Sequence, residues 1–218
     1  AEDVPNGTTS ANAGGEAWTN NGKKYFKPSP VGERLLGRPI WEDEYDAGDR
    51  AVLHLEPGLA FGTGTHETTR LCMELLEKYV KPGDEMLDMG CGTSILAILA
   101  RMRGAKHCLA IDVDEWCVNN SRENIDLNHL DGIDVELGNA LSLEGRGPFD
   151  LVIANINLGI LLNDLKYYVA CMKPGAHIYM SGFYDTDVPQ LVAEAERQGL
   201  TLTDERVLDG WACIKLRK

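Results

Sequence analysis

The sequence predicts an open, doubly wound α/β sheet, mostly parallel and ended by an antiparallel hairpin. Three observations predict it. Residues 85–100, EMLDMGCGTSILAILA, read as a short strand, a glycine turn and a helix. Within them 86–89 is apolar apart from Asp88, Gly90-Cys91-Gly92 lets backbone approach a ligand closely, and 95–103 has helical character. A second apolar run, CLAIDVD, ends on Asp112 and leads into another helical segment, so a βαβ unit forms. Near the end of the chain two strand-like runs meet at Asp209-Gly210, a strong hairpin signal.

A strand, glycine turn and helix bind a nucleotide-like ligand at the carboxyl end of the strand, where backbone N–H groups of the turn and first helical turn are unpaired. Two ligand classes suit the unit, a dinucleotide and S-adenosylmethionine, and both need an acid on a ribose. Asp112 stands 20 positions after Gly92 and serves either. The dinucleotide fingerprint asks for a third glycine three residues after the second, where Ile95 stands instead. Asp88, just before the glycines, would repel a pyrophosphate and attract a sulfonium and ammonium cation. Charge therefore favours S-adenosylmethionine, with Asp88, Gly90, Gly92 and Asp112 as binding residues.

The 218 residues, 44% apolar and 25% charged, have the balance of one main domain with a short extension. A net charge of −13 leaves no basic groove for a phosphate backbone, so direct nucleic-acid binding is not expected and a basic protein partner suits the surface better. The six cysteines lack CxxC spacing and sit mostly in apolar runs, as reduced core thiols do; the five histidines lack ligand spacing, so no metal site is expected. No run approaches the roughly twenty apolar residues of a membrane span. A cytoplasmic protein is the simplest expectation.

Taken in order, residues 1–17 are small and polar and read as a flexible leader. Residues 18–57 read as an arm with a basic cluster, Lys23, Lys24 and Lys27 around Tyr25 and Phe26, and then a first strand near Val52 and His54. From residue 58 to 218 the main domain follows. In it a loop with Gly62, Gly64 and four threonines can fold closely over a ligand, and it opens onto a helix that Thr65 or Thr68 can cap. After Asp112 a helix is expected over about 114–129, and IDVELGNA is a third strand. Asn139 at its end can supply an amide to an adenine ring or simply make an Asx turn. Residues 151–154 form a buried strand running into Asn155-Ile156-Asn157 and a further helix. An amide at the end of a central strand sits at the ligand-facing edge, which makes Asn155 the candidate for positioning the reacting group; Asn157 is the more natural helix cap. A fifth strand, an amphipathic helix over 187–199 and the hairpin complete the chain. An antiparallel ending agrees with the charge argument, because a dinucleotide-binding sheet usually ends on a parallel strand.

EPGLAFGTGTHETTRLC, LDMGCGTSILAI, IDVD, ANI and a last strand around Trp211, with KKYFKP and VGERL before them, closely resemble the PrmA family, methyltransferases of large-subunit ribosomal protein eleven. The resemblance implies the seven-stranded class I, Rossmann-like methyltransferase sheet, S-adenosylmethionine as cofactor and transfer of methyl groups to lysine and N-terminal amines of a basic ribosomal protein. By position it implies Thr69, Gly90, Asp112 and Asn155 as cofactor contacts, Phe61 and Gly62 along the methionine part, and Asn155 between the methyl group and the incoming amine. Two features depart from the family's pattern. Serine stands at 94 where the family usually has glycine, and a polar leader stands where members normally carry a small substrate-recognition domain. The alternatives that remain open are a module that holds the cofactor without transferring methyl groups, and a methyltransferase of small amines.

Overall fold

A computed structural model describes residues 29–31, 35–39, 51–55 and 67–218, the first three segments by their backbone pairing only. These first segments are β1 (Ser29–Val31), β2 (Leu35–Pro39) and β3 (Ala51–Leu55). They form a small sheet in which β2 lies antiparallel to β1 and parallel to β3. Only the strand near Val52 is expected from sequence. Pro30, Gly32, Gly37 and Pro39 interrupt the alternation that would have marked the other two.

The main sheet has β4 (Glu85–Met89), β5 (His107–Asp112), β6 (Ile133–Leu137), β7 (Phe149–Asn155), β8 (Met172–Tyr184), β9 (Thr201–Leu208) and β10 (Trp211–Arg217), in the order β6-β5-β4-β7-β8-β10-β9. Neighbours are parallel from β6 to β8, and β10 is antiparallel to both β8 and β9. This is the seven-stranded sheet and terminal hairpin expected. The helices are α1 (Glu67–Tyr79), α2 (Ile95–Met102), α3 (Glu115–Leu127), α4 (Leu158–Ala170) and α5 (Val188–Arg197).

Both faces of the sheet are covered, so its inner strands bury every other side chain on each side. In β4, Met86 joins the core made with Leu71, Leu75, Ile95 and Ile98 of α1 and α2. Leu87 and Met89 join the opposite core, with Leu161 and Leu165 of α4 and Leu191 of α5. Helix ends follow their caps. Asp114 Oδ1 accepts from the Trp116 N–H at 2.9 Å to start α3, and Asn157 Oδ1 accepts from the Ile160 N–H at 3.0 Å to start α4. α1 begins at Glu67, which puts Thr68 inside its first turn, buried, rather than at the cap; Thr65 lies outside the described residues. No described helix is long and apolar enough to cross a membrane.

The chain runs from β4 outward through β5 to β6 and then returns to β7 on the other side of β4. Where the winding reverses, the carboxyl ends of β4 and β7 part and leave a crevice.

Candidate functional site

A cleft of about 450 Å³ opens there, walled by the glycine turn, the ends of β5 and β7, the start of α1 and the start of β10. That size is ordinary for a small-molecule site. The N–H groups of Gly90 and Cys91 both bond the Ile111 carbonyl, at 2.8 and 3.0 Å, and pin the turn to the end of β5. Gly90 has φ 72°, and a Cβ there would stand 2.8 Å from Ile156 Cγ1, so glycine alone suits the position.

Asp112 holds the same turn from the side. Its Oδ2 accepts from the Gly92 N–H and its Oδ1 from the Asp114 N–H, both at 2.9 Å. The carboxylate is thereby fixed in direction, and each oxygen keeps acceptor capacity toward the cleft it lines. Two oxygens side by side suit the paired hydroxyls of a ribose.

The turn's carbonyls are held from behind by α3, a feature the sequence reading missed. Ser94 Oγ donates to Ser121 Oγ at 2.7 Å, Ser121 donates on to the Gly92 carbonyl at 2.7 Å, and Asn124 Nδ2 donates to the Thr93 carbonyl at 3.1 Å. Ser94, Ser121 and Asn124 are all fully buried. Uncharged polar residues at 120, 121 and 124 share one helix face, and that spacing is the signal that could have revealed the clamp. Ser94 has φ 61° and ψ 21°, the left-handed conformation for which glycine carries no penalty. Ser94→Gly therefore removes about 1 kcal/mol of backbone strain and loses a buried hydrogen bond of about the same worth. Urea unfolding is expected to show near-unchanged stability for Ser94→Gly and a loss of about 2 kcal/mol for Ser121→Ala, which takes its donor from the buried Gly92 carbonyl and its acceptor from the Ser94 hydroxyl. A greater loss in Ser94→Gly than in Ser121→Ala would contradict the clamp.

Asp88, expected to face the cofactor, does not line the cleft. Strand alternation turns Met89 toward the cleft and Asp88 under α2, where it is 1% exposed and accepts from the Ala97 N–H. It thus serves the start of a helix whose preceding residue, Ser94, makes no side-chain cap. Its Oδ2 has no hydrogen-bond partner among the described residues. Burial, reinforced by the charge of Asp112, pushes the Asp88 carboxyl up to about 7 from 3.8. The folded chain then binds a proton that the unfolded chain has already released, so this contribution to stability is full below pH 3.8 and is lost as the pH rises through about 7. Asp88→Asn abolishes the titration. Its melting temperature is expected to fall less than the parent's between about pH 4.5 and about pH 8; an identical slope in both proteins would exclude Asp88 as the titrating group.

At the far end of the cleft β7 ends on Asn155, half-buried, whose Nδ2 donates to Thr69 Oγ1 at 3.3 Å across 86 residues of sequence. Thr69 is buried in the first turn of α1. One of its two amide N–H groups is thereby engaged, and with Nδ2 turned to Thr69 the carbonyl oxygen of Asn155 is left as an acceptor. Asn139 lines the cleft on the opposite side, beyond β6, where its Oδ1 accepts from the Leu141 N–H at 2.9 Å. The Asx turn is therefore present, and the Nδ2 is the part of that side chain open to a ligand. Cys91 and Cys117 also line the cleft, but burial pushes their thiols up to about 12 and about 11, so neither is a thiolate nucleophile. Phe61, Gly62, Thr65 and His66 lie outside the described residues, as does the side chain of His54. Of the residues singled out from sequence, the structure gathers Thr69, Gly90, Gly92, Asp112, Asn139 and Asn155 around one cleft and leaves Asp88 beneath it.

Comparison with known proteins follows the same line. The family model described as ribosomal protein L11 methyltransferase (PrmA) matches residues 4–218. A protein of Bacteroides thetaiotaomicron named ribosomal protein L11 methyltransferase is 52% identical over 201 residues, which are 92% of this chain and 70% of that protein. One of the same name from Clostridium perfringens is 41% identical, over 91% of this chain and 63% of that one. The crystal structure of a ribosomal protein L11 methylase from Lactobacillus delbrueckii subsp. bulgaricus superposes with a TM-score of 0.81 at 29% identity, covering 88% of this chain and all of the other. A Streptococcus mutans protein solved in complex with SAH shares the fold at a TM-score of 0.58 and 16% identity, over 70% of this chain and 98% of its own.

Proposed function

The chain belongs to the PrmA family of ribosomal protein L11 methyltransferases and is an S-adenosylmethionine-dependent methyltransferase, and from that premise we propose how its cleft works and on what. The proposed substrate is L11, a basic ribosomal protein, methylated on lysine and N-terminal amines in the cytoplasm. Residues 58–218 are proposed as the catalytic domain, with 1–17 a leader and 18–57 an arm.

The cleft's own features support the cofactor's placement. Its glycine turn has no room for a Cβ at Gly90, its lining carboxylate at Asp112 is fixed by two backbone N–H groups, and its volume is that of a cofactor site. In this reading Asp112 takes the ribose hydroxyls, Gly90 and Gly92 allow backbone to lie against the ligand, Asn139 offers its amide N–H to the adenine, and Thr69 and Asn155 border the methionine end. Phe61 and Gly62 are proposed there too, on the family resemblance. When bound, S-adenosylmethionine supplies a methyl group made electrophilic by its sulfonium sulfur.

The chain's part is orientation, which is where such a reaction gains most of its rate. The observation that carries this is the Asn155 to Thr69 hydrogen bond. With Nδ2 turned to Thr69, the carbonyl oxygen is the end we assign to the amine, accepting an N–H and directing its lone pair. No covalent nucleophile is needed, in keeping with the protonated thiols. A terminal amine, with an ordinary pKa of about 8, is neutral more readily than a lysine near about 10.4, so transfer to lysine should rise more steeply with pH.

The test is transfer of labelled methyl groups to unmethylated L11 alongside a calorimetric titration of the cofactor. Transfer with binding is expected. Binding without transfer to L11 would remove L11 as the substrate, and absence of binding would refute the cofactor site.

A further inference from the structure

On the side of β7 away from Asp112, the carboxyl edge of the sheet carries an aromatic pair that the cofactor does not account for. Tyr184 ends β8 and Trp211 begins β10; they are cross-strand partners whose rings stack with centroids 4.4 Å apart and 27° between planes. Trp211 lines the cleft together with Asn155, whereas Tyr184 is 54% exposed. A large aromatic left half in water is not explained by core packing.

The surrounding backbone fixes the pair in relation to Asn155. Asn155 pairs in register with Ser181 of β8, and the Ile156 N–H bonds the Ser181 carbonyl at 3.0 Å. Gly182, with φ 101°, passes so tightly against the Ile156 backbone that a Cβ there would collide with it. Tyr184 lies three residues beyond Ser181, so it rises roughly 10 Å past the row of Asn155 at the ordinary rise of a strand. The Asp185 N–H bonds the Gly210 carbonyl at 2.9 Å and joins the loop after Tyr184 to the turn before Trp211. Asp185 and Asp209, both exposed, belong to that loop and that turn.

The sheet order gives the cleft a direction. Asp112 and Asn139 belong to the β5 and β6 side, and Asn155, Gly182 and Trp211 to the β7, β8 and β10 side. With the cofactor's ribose and adenine proposed on the first side, the second side, which carries the aromatic pair, is the one next to Asn155 and the proposed methyl group. Stacked rings with exposed aspartates next to them in the chain, in a protein of net charge −13, suit flat or extended cations.

We infer that the exposed Tyr184 ring, braced by Trp211, is a docking platform for a cationic side chain next to the target amine in a basic polypeptide. The inference rests on the reading that the chain acts on such a polypeptide. It makes Tyr184 a specificity residue that touches the substrate beside the reaction centre and takes no part in the transfer.

The experiment uses two peptides with one target lysine, flanked in one by arginines and in the other by citrullines, which keep the shape and lose the charge. Binding to the full chain is followed by NMR titration, and cofactor affinity by calorimetry. The parent is expected to prefer the arginine peptide about tenfold. Tyr184→Phe should keep that preference, and Tyr184→Ala and Tyr184→Leu should lose most of it with cofactor affinity unchanged. Equal binding of both peptides by the parent, or a preference that survives in both Tyr184→Ala and Tyr184→Leu, would overturn the platform. If the parent prefers arginine through Tyr184 yet transfers no methyl group to either peptide, the platform stands and the proposed reaction falls.

Discussion

Asp112→Ala is expected to weaken S-adenosylmethionine binding by at least about 100-fold while the chain stays folded. Hydrogen bonds to a charged acceptor contribute about 1.5–3 kcal/mol each, and two ribose hydroxyls on one carboxylate exceed the roughly 2.7 kcal/mol that a hundredfold requires. A second loss adds to the first. The same carboxylate holds the Gly92 N–H at 2.9 Å, so removing it frees the turn against which the ligand is proposed to lie. Asp112→Asn separates the two effects poorly, because both oxygens accept backbone N–H groups and an amide would turn its own N–H against one of them. The useful comparison is with Ser121→Ala, which loosens the turn from behind and leaves the carboxylate in place. Calorimetry should give a small loss for Ser121→Ala and a large one for Asp112→Ala, with circular dichroism melts confirming that both are folded. A loss under about threefold in Asp112→Ala would remove that residue from the binding site.

The difference between Asp112 and Asp88 shows what a sequence can and cannot tell about this cleft. Asp112 ends a strand at a boundary between apolar run and helix, so its place at the sheet edge is readable from periodicity alone. Asp88 lies one residue inside β4, and a strand buried on both faces has no alternation of polar and apolar residues to tell which way a side chain turns. Whether Asp88 faced the cleft or the underside of α2 depended on packing that the sequence does not print. The glycine turn was legible because Gly90 and Gly92 mark it, and the hairpin because Asp209-Gly210 marks that. The clamp of Ser121 and Asn124 on the turn was not, since its contacts span about 30 residues and polar residues in a helix read first as its wet face. Ser94 was visible as a departure from the family's glycine, but its left-handed backbone, and the hydroxyl chain that offsets the strain, are properties of the folded turn. Asn155 could be found from its place at the end of β7. Its bond to Thr69 could not, and the role proposed for its carbonyl oxygen rests on that bond.

Asn155→Ala is expected to lower the single-turnover rate by about 100-fold and cofactor affinity by less than about tenfold. The rate loss is the size seen when one well-placed polar group at a reacting centre is removed, about 2.7 kcal/mol. It should exceed the binding loss because the carbonyl oxygen is proposed to act on the amine, which is absent when the cofactor binds alone. The hydrogen bond to Thr69 supplies a sharper test. In Thr69→Val the amide of Asn155 remains but nothing selects its orientation, so it can turn its N–H toward an amine whose lone pair must stay free. Thr69→Val should therefore slow transfer by about tenfold; valine keeps the branched shape and loses the hydroxyl, so a circular dichroism melt run beside the assay is expected to show the variant folded. In Thr69→Ser the hydroxyl is restored and the rate should return. If Thr69→Val matched the parent while Asn155→Ala was slow, the oxygen would be oriented by some other group. If Asn155→Ala lost rate and cofactor affinity in equal measure, Asn155 would hold the cofactor and leave the amine to be positioned elsewhere along the β7, β8 and β10 edge.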